Sequence, residues 1–123
     1  MALVLDTGPL YAALDRGDTS HDSCRTLLFQ FRHELIIPAP VLVEVDQLAY
    51  SRGRGREFDS FLSDVIAGAY EIEDLLPEDY SRVRQVMQRY ADAAIGFVEA
   101  AVLAVVERRV SPIWRRWTGV TLA

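Results

Sequence analysis

The sequence predicts an α/β fold built on a parallel sheet, and three observations carry that expectation. Leu3-Val4-Leu5 is a short apolar run that stops at Asp6, and Thr7-Gly8-Pro9 break it before Leu10 to Leu14 resume at helical spacing. A second run, Leu35-Ile36-Ile37, stops at Pro38 and is separated from the first by helical sequence, as a parallel pair requires. The remainder alternates helical patterns with short β runs and shows no repeat, linker or low-complexity segment. With 123 residues, half of them hydrophobic, the chain is long enough for one domain over 1–123 with a substantial core.

Taken in order, the first strand hands over to a helix whose first turn suits Pro9 and which Thr7 can cap. Asp18-Thr19-Ser20 read as a turn and cap for a helix over 21–32, with Cys24, Leu27, Leu28 and Phe31 on one face. Pro40 begins a helix through Val41, Val45 and Leu48 that ends near Gly53, and Phe58 to Ile66 form another, closed by Gly68. Tyr70-Glu71-Ile72 suit a strand at the sheet edge. Pro77-Glu78-Asp79 open a helix to about Tyr90, and Gly96 to Arg108 form the last one.

Composition narrows the function. A net charge of −5 is not the footprint of a protein that coats nucleic acid, so any such contact is local. All thirteen basic residues are arginine, a bias typical of G+C-rich coding. A lone cysteine excludes an intramolecular disulfide and a thiolate metal cluster within the chain, and Cys24 is expected to pack as a small buried hydrophobe. No uninterrupted apolar run approaches the roughly twenty residues of a membrane span, and an acid stands at position 6 where a signal region would be basic. A cytoplasmic location without membrane contact is the expectation.

The acids are informative by position. In open α/β sheets ligands gather at the carboxyl ends of strands, which is where Asp6 falls. Taken singly, Asp6 reads equally well as a helix cap. Glu44 stands near the start of the helix after the second strand, and Glu99 in the first turn of a strongly apolar helix. A single first-turn acid is stabilised by the helix dipole and needs no further account. Three at comparable element ends suggest a shared site, because converging carboxylates repel unless a cation neutralises them. All-oxygen ligands suit Mg²⁺ or Mn²⁺, which would retain waters, bind substrate phosphate and support phosphodiester hydrolysis.

Three stretches, VLDTGPLYAALD, IIPAPVLVEVDQLA and YADAAIGFVEAAVLAVVERR, occur in an order and spacing that resemble the PIN-domain ribonucleases of the VapC toxin family over about residues 1–109. The resemblance implies a three-layer α/β/α PIN-like fold with a central parallel sheet. It also implies Mg²⁺-dependent RNA cleavage, a VapB-type antitoxin as partner, and a homodimer. By position, Asp6 is the first metal acid, Glu44 the second and Glu99 the third, standing where the family usually has Asp. The extra methylene displaces the carboxylate by roughly 1 Å, enough to cost rate in a preorganised site. Asp92 matches a position that is often acidic without being a ligand.

Other readings of single motifs carry less. Asp6-Thr7-Gly8 is also the triplet of aspartic proteases, but that all-β architecture does not suit a mostly helical chain. His21 and His33 lack zinc-site spacing and read as surface or cap residues. Arg52, Arg54 and Arg56 read either as a solvated turn or as contacts to RNA or antitoxin. Residues 110–123 form an atypical tail, SPIWRRWTGVTLA after Val110, with no acid, where the family runs into a strand and a fourth Asp, approximately ATLDRRHF. Trp117 followed by Thr118 forces a GAC codon, Asp, in the frame that starts on the last base of each codon. A frameshift near Arg109 would produce such a tail, and on that reading the sheet lacks the family's last strand as well as the acid. The expected function is a VapC-like Mg²⁺-dependent endoribonuclease with an incomplete acidic site. The alternative is a weak or inactive PIN domain that serves as an antitoxin-binding protein.

Overall fold

The structure, a computed structural model, describes residues 2–109 and 121–122. The chain runs β1 (Leu3–Val4), α1 (Thr7–Leu14), α2 (His21–Gln30), β2 (Leu35–Pro38), α3 (Ala39–Ser51), α4 (Gly55–Ile66), β3 (Glu71–Glu73), α5 (Pro77–Arg89), a 3-10 turn at Ala91–Ala93, α6 (Phe97–Arg109) and β4 (Thr121–Leu122). The strands form one sheet in the order β3-β2-β1-β4, every pair parallel. Leu3 lies opposite Leu35 and Thr121, and Ile37 opposite Ile72. The helices complete the expected three-layer α/β/α arrangement.

β1 and β2 are apolar throughout because the sheet interior is covered on both faces, and every one of their residues is buried. Burying side chains such as Leu3, Leu5 and Ile37 contributes about 1.5–3 kcal/mol each. Around these strands pack Leu10, Val41, Val45, Phe61 and Val102 from four helices. A second cluster joins α5 to α6 through Val83, Val86, Ala100, Ala101 and Ala104. β3 is one of the two edge strands, and its glutamates fit that place, since charge on an edge discourages pairing with another chain.

Two glycines end helices as the sequence anticipates. Gly53 and Gly68 adopt φ of 69° and 88°, a conformation disfavoured for side-chain-bearing residues. Each permits the paired hydrogen bonds that close a helix: Arg54 N–H to the Ala49 carbonyl and Gly53 N–H to Tyr50, then Ala69 N–H to Asp64 and Gly68 N–H to Val65. Because the first of these turns is tight, α4 begins at Gly55, three residues before the expected Phe58. The stripe of Leu27, Leu28 and Phe31 packs against the core, and Cys24 is only partly buried there.

One expectation about the tail needs correction. The frameshift reading left the sheet without its last strand, yet Thr121–Leu122 pair with β1. A parallel ladder is made by backbone groups, so it does not depend on the missing acid. The placement of Trp114 and Trp117 lies outside the described residues.

Candidate active site

The chain leaves β1 at its carboxyl end, beside the point where the strand order reverses between β1 and β4. Asp6 occupies that exit. Its backbone is extended, with φ −89° and ψ 174°, and its Oδ1 accepts the Thr7 N–H at 2.7 Å. Asp6, and not Thr7, is therefore the cap of α1. Thr7 is turned inward instead: it is buried, and its hydroxyl donates to Glu44 Oε1 at 2.6 Å. That distance lies in the short range of a charge-assisted O–H···O⁻ bond.

Thr7 thus holds both carboxylates, one through its N–H and one through its hydroxyl, across 37 positions of sequence. Asp6 and Glu44 are both half-buried. Glu44 lies in the second turn of α3, whose first turn carries no acid, so the helix dipole does not account for its place there. The bond to Thr7 does. Sequence reading assigned Thr7 only to a cap. The signal that could have found it is a Thr next to a strand-end Asp, since a buried hydroxyl needs a partner.

Glu99 is exposed in the first turn of α6. Among the described residues no three Asp, Glu, His or Cys side chains are placed to hold one metal ion, so the structure brings Asp6 and Glu44 together without Glu99. The residues outside the description contain none of those four types. The donor set of Asp6 and Glu44 nevertheless fits Mg²⁺. Each carboxylate has one oxygen without a partner among the described residues, and Mg²⁺ is commonly held by one or two carboxylates with water and phosphate completing its shell. Asp92 is exposed in the 3-10 turn, away from any such group.

The other conspicuous polar residues have structural partners. Arg54 pairs with Asp15 at 3.3 Å and with Glu57 at 3.7 Å, and the Arg52 guanidinium lies 4.8 Å from the centre of the Tyr11 ring. Asp15 caps the far end of α1, about 12 Å from Asp6 by the rise of an eight-residue helix. Arg52 and Arg54 therefore brace α1 against the α3–α4 turn, while Arg56 is exposed. The Tyr11 hydroxyl donates to Asp15 Oδ2 at 2.7 Å and the Gly17 N–H to Oδ1 at 2.8 Å. These bonds hold the Asp15 carboxyl below the usual carboxylate range, and burial together with Asp15 raises Tyr11. His21 Nδ1 meets the Ala12 carbonyl at 2.9 Å, a bracing role in keeping with the surface or cap reading.

The third buried polar residue, Asp79, is also structural. It accepts the Leu76 N–H at the start of α5 and grips Arg108, which reaches Glu73 as well, tying the end of α6 to β3 and α5. Of the three buried polar residues among those described, Thr7 alone stands between two carboxylates.

A parallel sheet covered by helices, with two carboxylates bridged by Thr7 at the carboxyl end of β1, defines an α/β domain whose candidate site lies where such folds gather their ligands. The chain belongs to the PIN domain family, which it matches over residues 3–112. It is similar to the ribonuclease VapC26 of Mycobacterium tuberculosis, with 23% identity over 107 residues covering 86% of this chain and 78% of that one. Its fold is similar to a crystal structure of VapC20, a sarcin–ricin-loop-cleaving toxin of Mycobacterium tuberculosis. The TM-score is 0.80 at 18% identity, over 88% of this chain and 83% of that one.

Proposed function

We propose that this chain is a VapC-type endoribonuclease toxin that cleaves RNA phosphodiester bonds with Mg²⁺, or Mn²⁺ in its place. The observation that carries the reading is the Thr7 bridge between Asp6 and Glu44 at the end of β1. Asp6 and Glu44 would hold the ion through their free oxygens, while Thr7 fixes both side chains before substrate arrives, so little reorganisation remains. When bound, the ion supplies positive charge that acidifies water and offsets charge on the leaving oxygen. Glu99, on the exposed first turn of α6, is the candidate third acid and would have to swing inward to join them.

The partners this reading implies are an RNA substrate, a VapB-type antitoxin and a second copy of the chain. Among the described residues no helix is long and apolar enough to cross a membrane, which suits action in the cytoplasm. The exposure of Glu99 favours a second reading, a weak or inactive PIN domain retained for antitoxin binding. Incubating end-labelled RNA with the purified chain separates the two. Cleavage that needs Mg²⁺ and stops with a chelator supports the nuclease; an intact substrate with antitoxin still bound supports the second reading.

A further inference from the structure

Beside α6 lies an apolar groove of about 550 Å³, lined along one face of α5 by Tyr80, Arg84 and Met87 and closed by Phe97. Its size is within the range of roughly 300–1,000 Å³ usual for ligand clefts. Tyr80 and Phe97 stack with centroids 6.4 Å apart and planes 29° from parallel, yet both keep about half of their surface open to solvent, at 54% and 43%. Phe97 opens the helical turn that carries Glu99. Arg54, Arg82, Arg108 and Arg109 are engaged in ion pairs, whereas Arg84 is exposed with no acid beside it among the described residues. At the end of α5, Arg89 lies 5.6 Å from the centre of the exposed Tyr90 ring.

We infer that this groove is a base-stacking subsite for single-stranded RNA, with Tyr80 and Phe97 as the platform and Arg84 on the flanking phosphate. The inference rests on the ribonuclease reading and adds where the strand lies. Exposed aromatic faces beside unpaired guanidinium groups match what an unstacked base and its phosphate need. A second copy of the chain fits less well, because closing an apolar contact over this face would strand the Arg84 charge without a partner.

The test is fluorescence anisotropy of labelled single strands of about twelve nucleotides, in EDTA so that metal does not contribute to binding. Tyr80→Ala and Phe97→Ala should each weaken binding about tenfold, while Tyr80→Phe keeps the parent affinity. Arg84→Gln should lower the slope of log affinity against log salt by about 0.7, a change that a merely structural role would not produce. Tyr80 and Phe97 stack on each other, so each alanine variant should melt slightly below the parent, and binding is compared at a temperature where all of them are folded. If the parent cuts RNA and all variants bind with parental affinity and slope, the subsite is wrong and the ribonuclease reading stands. A parent that neither binds nor cuts RNA overturns both. If Phe97→Ala splits a dimer seen by sedimentation without changing RNA affinity, the groove is a contact between copies and the inference falls.

Discussion

Replacing Thr7 with valine keeps the shape of the side chain and removes the one hydroxyl that reaches Glu44. The lost bond is short, at 2.6 Å, and its acceptor is charged, a class that contributes about 1.5–3 kcal/mol. Glu44 is only half-buried, so water recovers part of this, and a net loss of about 1–2 kcal/mol is expected. For a domain of 123 residues that lowers Tm by roughly 4–8 °C. The metal should feel it more, since removing a group that orients a ligand typically costs about 10- to 100-fold in affinity. Thr7→Ser separates the two effects: it loses a buried methyl, about 0.8 kcal/mol, but keeps the hydroxyl and should keep the metal affinity. Calorimetric melts and Mg²⁺ titrations of the three proteins provide the comparison. If Thr7→Val binds Mg²⁺ as tightly as the parent, Thr7 does not position Glu44 and the bridge has no role in the site.

Other perturbations have definite signs. Asp15 is held below the usual carboxylate range, so its contribution is complete above the unfolded value near pH ~3.9 and is lost as pH falls through the depressed folded value. The Tm gap between the parent and Asp15→Asn should therefore be constant from neutral pH to about pH 5 and close in stronger acid, a trend that melts across pH would reveal. Asp79→Ala removes the acceptor for Leu76 and frees Arg108 from its buried partner, and chemical denaturation should show a loss of about 2–3 kcal/mol. Glu99→Gln should leave metal-free stability within about 0.5 kcal/mol of the parent, because the side chain is exposed; a larger drop would assign it a structural bond.

Much of the fold is written in local sequence. Apolar runs that stop at Asp6 and Pro38 become buried parallel strands, and Gly53 and Gly68 end helices because they supply the backbone conformation the turn needs. Side-chain partnerships across long stretches are not written there. Nothing near Thr7 announces that its hydroxyl meets Glu44, and nothing in the run of arginines from 52 to 56 shows that Asp15 and Tyr11 engage two of them. Helical spacing placed Glu99 in a first turn correctly, but could not say that its carboxylate would stand apart from the other two acids. The strand at Thr121–Leu122 is not announced by any acid, because its ladder with β1 is made by backbone groups alone.

The most direct test of the central claim is the rate at which the parent and Asp6→Asn cleave RNA in Mg²⁺. Asparagine keeps an oxygen for the Thr7 N–H and so preserves the cap, but it removes the charge that a hard cation needs. The parent should cut RNA only with divalent metal, and Asp6→Asn should have lost that cleavage while melting as the parent does. Parental rates in the variant would contradict the assignment of the Asp6–Thr7–Glu44 centre.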